Sequence, residues 1–89
     1  MKSHVTSAFR HLFQDLPAEV QRHAREAYRL WKENPGHPCV QFKRVHPRQP
    51  IYSVRIGMDW RAVGLRQGDT VIWFWIGSHA QYDGLLKRL

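Results

Sequence analysis

The sequence predicts an α+β domain in which an N-terminal αα-hairpin packs on a four-stranded antiparallel sheet and a short C-terminal helix follows. Apolar residues recur at helical spacing up to Asn34, and after residue 38 the pattern changes to the alternation typical of strands. The run Val71–Ile76 is β-branched or aromatic throughout and carries no charge, which favours an interior strand covered on both faces. The predicted order is α-α-β-β-β-β-α.

The first third of the chain has the features of two short helices in a hairpin. Thr6 or Ser7 can cap the first helix, and four apolar residues then follow at positions i, i+3, i+4 and i+7. These residues are Phe9, Leu12, Phe13 and Leu16. Pro17 fits the first position of a second helix, which ends at Asn34-Pro35-Gly36. The residues expected on its buried face are Val20, Ala24, Ala27, Tyr28 and Trp31.

Four strands are expected after the hairpin: Val40–Lys43, Ile51–Ile56, Trp60–Arg66 and Val71–Ile76. The segment from Arg44 to Pro50 contains two prolines and reads as a loop or a frayed edge. Gly57-Met58-Asp59 and Gln67-Gly68-Asp69 are predicted turns. Within the second strand, alternation places Tyr52, Val54 and Ile56 on one face and Ser53 and Arg55 on the other.

The last element is predicted to be a helix that begins at Ser78. Ser78 and Gln81 have the spacing of a capping box. The apolar stripe that follows consists of Tyr82, Leu85, Leu86 and Leu89. Gly84 is expected to weaken this helix by roughly 1 kcal/mol relative to alanine.

Length and composition predict one domain over residues 1–89. The single cysteine, Cys39, cannot form an internal disulfide, which is typical of a reducing compartment. No long apolar run follows Met1, and the apolar strand is too short to cross a bilayer. We therefore expect a soluble cytoplasmic protein without membrane partners.

The charge balance predicts a polyanionic partner, and the alternative is a solvated basic face that aids solubility. Fourteen Lys and Arg against seven Asp and Glu give a net charge of +7, and the excess lies in the middle of the chain. The basic residues between positions 35 and 68 are Lys43, Arg44, Arg48, Arg55, Arg61 and Arg66, and Asp59 is the acid there. Within this region, Lys43, Arg44, His46 and Arg48 form a dense cationic run that suits either a nucleic-acid backbone or an acidic partner protein.

Two arginines are candidates for binding phosphate. Arg55 is expected on the sheet face that the helices leave partly open. Alternation groups Arg61 with Val63 and Leu65, which look buried, so a bulge or strand twist is needed to bring it to the open face. If both reach that face, their planar guanidinium groups suit phosphate. The alternative is that they pair with Asp59, Asp69 or Asp83.

His79 and Tyr82 are the candidates for proton transfer. His79 lies at the first turn of the last helix, where backbone N–H groups favour anions and a neutral imidazole can accept a proton. Tyr82 lies about one turn further on and can donate a proton or hold a phosphate oxygen. Because Tyr82 also begins the apolar stripe, a core role is equally expected. The remaining histidines show no ligand spacing, and we expect no metal site.

These residues together resemble the RelE/ParE superfamily of type II toxin–antitoxin toxins, and the likeness covers nearly the whole chain. The most specific parts are an Arg followed by a short turn and an aromatic-Arg-Ala-Val sequence, and a strand that ends in Gly-x-His. The segments that carry the resemblance are Ile51–Ile56, Trp60–Gly64, Trp73–His79 and Tyr82-Asp83.

The resemblance implies a toxin that a cognate antitoxin neutralises and that meets operator DNA only within the antitoxin complex. RelE-like members cleave ribosome-bound mRNA through attack of the RNA 2′-OH on the adjacent phosphate, without a metal or cofactor. Carried over, Arg61 matches the phosphate-stabilising arginine, and His79 stands where members have an arginine or histidine. Tyr82 resembles the C-terminal tyrosine at a shorter spacing, and Lys43 and Arg44 stand in for a lysine-rich strand.

Three functions remain open at this point. The first is an mRNA endoribonuclease in which Arg55, Arg61, His79 and Tyr82 act at the scissile phosphate while Lys43, Arg44, His46 and Arg48 hold RNA. The second is a ParE-like inhibitor of DNA gyrase that lacks nuclease activity. The third is a non-catalytic relative that binds its antitoxin or operator DNA.

Overall fold

The computed structural model describes residues 1–89 as three helices and a five-stranded mixed sheet, which confirms the predicted α+β class. In chain order the elements are β1 Lys2–Val5, α1 Ser7–Gln14, α2 Ala18–Glu33, β2 Lys43–Arg44, β3 Ile51–Ile56, β4 Trp60–Gln67, β5 Thr70–Ser78 and α3 His79–Arg88. The strands lie side by side in the order β1-β5-β4-β3-β2. Strands β2 to β5 are antiparallel neighbours, as expected.

The sequence prediction missed strand β1, which runs parallel to β5 with Lys2 opposite Thr70. Its backbone is held at both ends, because Lys2 N donates to Asp69 O at 2.8 Å and Thr6 N donates to Trp73 O at 3.0 Å. The strand is a largely exposed edge of four residues, and only Val5 among them is apolar. It therefore lacks the alternation that reveals a half-buried strand in a sequence.

The predicted strand Val40–Lys43 is wrong in most of its extent, because only Lys43 and Arg44 pair with β3. Gln41 has a φ of +45°, a left-handed conformation that interrupts the extended chain. Val40 is instead a core residue, 1% exposed, and its carbonyl accepts a hydrogen bond from Arg55 N at 2.7 Å.

The helical hairpin forms as predicted, with local contacts that define its ends. Thr6 caps α1 through its side-chain oxygen, which accepts from Phe9 N at 3.1 Å. Pro17 is the N-cap of α2, one residue before its predicted place. Gln21 donates from its side-chain amide to Phe13 O at 3.0 Å and to Leu16 O at 3.2 Å, which ties the two helices together.

One residue of the predicted buried face of α2 is exposed. Tyr28 is 45% exposed, and its hydroxyl lies 2.7 Å from Ser3 Oγ on β1, so it packs along the outside of the sheet edge that the prediction lacked. Trp31, on the same helix, is 1% exposed and fully buried as expected.

Two hydrophobic clusters cover the two faces of the sheet. Helices α1 and α2 cover one face, where the buried residues are Ala24, Trp31, Val40, Val54, Ile56, Ala62, Val71, Trp73 and Ile76. Helix α3 covers part of the other face, where the buried residues are Ile51, Val63, Tyr82 and Leu85. The expectation that the apolar strand is covered on both faces is confirmed for β5.

A β-bulge at Phe74 lets β5 supply large side chains to both clusters. Val63 on β4 pairs with Trp75 and Gly64 pairs with Trp73, so Phe74 has no partner on β4. Without the extra residue, Trp73 and Trp75 would lie on the same face. The bulge also brings the chains close together, since a Cβ on Gly64 would lie 2.6 Å from Val71 Cγ1.

None of the three helices combines the length and the apolar character that crossing a bilayer requires.

Replacement of Gly64 by alanine is expected to destabilise the fold by about 1–3 kcal/mol, because the added methyl overpacks the bulge. The measurement is the free energy of unfolding from urea denaturation. Gly36→Ala is the control, since a Cβ there would meet only Asn34 Oδ1, at 3.4 Å. Equal stability of the two variants would show that the bulge has room for a side chain.

Candidate functional site

Arg55 and Arg61 are direct cross-strand neighbours on the face of the sheet that carries α3. Plain alternation places Arg61 there with Val63, and no bulge is needed at the start of β4. The next neighbour of Arg61 is Gly77 on β5. The two arginines occupy paired positions on one face, as expected, but α3 partly covers this face and the Arg55 side chain lies beside residues of α2 instead of beside His79.

Backbone carbonyls of the β3–β4 turn fix both guanidinium groups. Arg55 Nε donates to Gly57 O at 2.8 Å, and Arg61 Nη1 donates to Trp60 O at 2.7 Å and to Met58 O at 3.5 Å. Neither arginine forms an ion pair with a carboxylate, so the alternative of pairing with aspartates is not observed. Their remaining N–H donors are available to an anion.

Arg61 and His79 line the same open depression, of about 630 Å³, between the β3–β4 turn and the first turn of α3. The helix is held there by a hydrogen bond of 2.6 Å from His79 N to Asp59 O. Ser78 and Gln81 form the predicted capping box, with Gln81 N donating to Ser78 Oγ at 3.2 Å and Ser78 N donating to Gln81 Oε1 at 3.0 Å. Arg55 does not line this depression.

The sequence interpretation missed the role of Asp83 beside His79. Asp83 Oδ2 lies 3.4 Å from His79 Nδ1, and both side chains are about half exposed. The negative charge of a carboxylate at this distance favours the tautomer with the hydrogen on Nδ1, in which Nε2 of a neutral ring is free to accept a proton. The i, i+4 spacing of these residues on a predicted helix was the available signal.

Tyr82 occupies the core position rather than the depression. It is 7% exposed, and its hydroxyl donates to Oγ of Ser53, which is 2% exposed, at 3.2 Å. Its ring lies edge to face with the His79 ring at a centroid distance of 5.9 Å. Of the two roles expected for Tyr82, the geometry favours the core anchor. In this position the Tyr82 ring packs against the His79 ring.

Three of the four residues in the cationic run have exposed side chains, and the fourth, His46, makes hydrogen bonds to backbone groups. Lys43, Arg44 and Arg48 are exposed, and Lys43 shares the face of Ser53 and therefore of the two arginines. His46 Nδ1 accepts from Arg48 N at 3.1 Å and from Gln49 N at 2.9 Å. Its Nε2 therefore carries the hydrogen and donates to Leu89 O at 3.0 Å, so His46 ties the loop to the end of α3.

No group of three or more histidine, cysteine, aspartate or glutamate side chains is arranged to hold a metal ion. The side chains at the site offer a guanidinium held by backbone carbonyls for anionic charge, an imidazole for proton transfer, and exposed cations for a polyanion.

The family model of the ParE-like toxin domain matches residues 18–84, and the chain belongs to that family. A comparison with curated protein sequences finds no significant match.

Solved structures with this fold come from archaea and bacteria. The chain is 12% identical to a chain of the RelB–RelE antitoxin–toxin complex from Methanococcus jannaschii, over 92% of this chain and 96% of that one, with a TM-score of 0.73. A chain of the RelE–RelB complex from Pyrococcus horikoshii is 13% identical over 90% of this chain and 96% of that one, with a TM-score of 0.69. The YoeB/ParE toxin from Agrobacterium tumefaciens is 18% identical to this chain. The similarity covers 89% of this chain and 99% of that one, with a TM-score of 0.68.

Tyr82→Phe is expected to lower the free energy of unfolding by about 0.5–1.5 kcal/mol, because it removes the hydrogen bond to buried Ser53. Urea denaturation of Tyr82→Phe, Ser53→Ala and the double variant measures the coupling between the two side chains. The double variant is expected to be more stable than the sum of the single losses predicts. Strictly additive losses would mean that the hydroxyl groups do not interact.

Proposed function

We propose that this toxin of the ParE-like family is a ribosome-dependent mRNA endoribonuclease that needs no metal, and that residues 1–89 form its single toxin domain. The observation that carries the proposal is that Arg61, which forms no ion pair, and His79, with Asp83 at 3.4 Å from its Nδ1, line one open depression. A ParE-like inhibitor of gyrase does not need a fixed cation beside an imidazole with a free nitrogen.

The reaction that fits this geometry is attack of an RNA 2′-oxygen on the adjacent phosphorus. The new P–O2′ bond forms as the P–O5′ bond breaks, which leaves a 2′,3′-cyclic phosphate and a 5′-hydroxyl. Arg61 stabilises the added negative charge on the phosphate oxygens in the transition state. His79 Nε2 takes the proton of the 2′-hydroxyl, or in its protonated form gives one to the leaving 5′-oxygen, and Asp83 keeps the ring oriented.

The exposed side chains of Lys43, Arg44 and Arg48 hold the RNA strand in this proposal. They lie at the β2 edge and in the loop that follows it, and Lys43 points to the same face as Arg61. Contacts of this kind bind the phosphate backbone without reading its sequence and weaken as salt rises. His46 contributes by fixing the loop that carries Arg48.

The partner that we propose is a cognate antitoxin protein, as in the RelB–RelE complexes of similar fold. An apolar groove of about 250 Å³ runs between α1, α2 and the sheet, with Phe9, Phe13 and Tyr28 among its lining residues. An amphipathic antitoxin segment can bury its apolar side chains there. Operator DNA is bound only through that complex, and the ribosomal target places the toxin in the cytoplasm.

Inhibition of DNA gyrase is the second candidate, because the family model that matches is the ParE-like one. The two functions are separated by primer extension on translated mRNA and by a supercoiling assay. Cleavage within codons supports the nuclease, whereas inhibited supercoiling with intact message supports the gyrase inhibitor. Expression without any growth defect, with or without the antitoxin, would indicate a non-catalytic relative.

Arg61→Ala and His79→Ala are each expected to abolish growth arrest while leaving the fold and antitoxin binding intact. For His79→Ala the cleavage rate on ribosome-bound mRNA is expected to fall by about 10²–10⁴, the usual contribution of a general acid or base. Single-turnover cleavage measures this loss, and co-purification with the antitoxin checks the fold. Arg66→Ala, a charge-matched change at the other end of β4, is the control. Full arrest by both site variants would refute the mechanism.

A further inference from the structure

Arg55 and Arg61 lie opposite each other on β3 and β4, but their side chains line two different depressions. Arg61 lines the depression that contains His79. Arg55 lines a second depression, of about 400 Å³, on the other side of the β3–β4 turn, together with His23 and Cys39. The two guanidinium groups therefore flank the turn and do not converge on one point, contrary to the expectation that both act on the same phosphate.

The turn that separates the two depressions holds each arginine in place. Arg55 Nε donates to the carbonyl of Gly57, whose φ is +58°, while Arg61 Nη1 donates to Trp60 O. A carbonyl contact at one nitrogen fixes the planar fork and leaves the other N–H groups to meet an anion. The side chain of Met58 lines both depressions and is 77% exposed, so an apolar spacer stands between the two cations.

Arg55 forms no ion pair with a carboxylate in the second depression. The acidic residue that lines this depression is Glu26, which accepts hydrogen bonds from Arg29 at 2.6 and 3.1 Å. Those bonds hold the pKa of the Glu26 carboxyl below its usual range, and Arg29, which also pairs with Glu33 at 3.0 Å, offsets part of the carboxylate charge. His23, an exposed imidazole, adds a further donor beside the unpaired Arg55.

We propose that Arg55, with His23, forms a second phosphate subsite that holds the phosphate next to the scissile one, so that the RNA strand crosses the turn at Met58. This inference rests on the proposed nuclease function and deepens it. The two guanidinium groups, on opposite sides of the turn, then contact successive phosphates of one strand. Arg55 is then a positioning residue that sets substrate affinity, and Arg61 alone acts on the phosphate that reacts.

The test uses ribosome-bound mRNA in which a neutral methylphosphonate replaces one phosphate, either directly before or directly after the scissile position. On unmodified message, Arg55→Ala is expected to raise the toxin concentration for half-maximal cleavage about tenfold, the loss of one charge-assisted contact. The single-turnover rate at saturating toxin is expected to stay within about twofold of wild type. Arg61→Ala lowers that saturating rate instead.

The decisive result is that the effects of Arg55→Ala and of the methylphosphonate are not additive at one of the two neighbouring phosphates. Once that phosphate is neutral, Arg55→Ala causes no further loss, whereas on the message modified at the other neighbour it keeps its full effect. Arg55→Lys, which keeps the charge but not the fork, is expected to lie between wild type and alanine and guards against misfolding. Arg66→Ala is the control, because Arg66 Nε makes the same kind of contact, to Gly68 O at 3.1 Å, at the opposite hairpin.

Two results would overturn the subsite. One is a loss of saturating rate in Arg55→Ala as large as in Arg61→Ala, which would place both arginines on the scissile phosphate. The other is an effect of Arg55→Ala that persists on both modified messages. If the wild-type protein cleaves no ribosome-bound message at all, the proposed function itself fails, and the subsite fails with it.

Discussion

The bulge at Phe74 is the constraint on which both faces of the molecule depend. One extra residue in β5 changes the side-chain parity of everything that follows it. Ile76 consequently enters the cluster beneath α1 and α2, and Gly77, which has no side chain, lies opposite Arg61. With regular pairing the bulky isoleucine would take the glycine's place beside the arginine. The Trp75 ring and the Gln81 side chain fill the space over Gly77, where a Cβ would lie 2.6 Å from Trp75 Cζ2 and 2.7 Å from Gln81 Oε1.

Rigid backbone contacts, rather than long side chains, set the spacing of the functional groups. The hydrogen bond from His79 N to Asp59 O joins the start of α3 to the β3–β4 turn, and the capping box fixes the direction of the helix. Beneath them, Tyr82 and Ser53 link α3 to the sheet through the second cluster. An imidazole and a guanidinium placed in this way need little reorganisation when an anion binds.

The sequence predicted features that depend on local patterns and failed where the outcome depends on distant contacts. Alternation paired the strand positions of Arg55 and Ser53 on one face, and Ser78 with Gln81 identified the cap of α3. Strand β1 gave no signal, because its polar residues become a strand only through pairing with β5. The direction of the Arg55 side chain could not be derived either, since it is set by the carbonyl of Gly57 and not by strand parity.

The parallel pairing of β1 with β5 joins residues from nearly opposite ends of the chain. Closing so long a loop is entropically costly, whereas the β4–β5 hairpin closes over a tight turn, so β1 is expected to join late in folding and to open first in the native state. Each opening exposes the hydrogen-bonding edge of the most apolar strand, a template for pairing with other chains. A largely exposed strand of four residues, three of them polar, therefore protects this protein against aggregation.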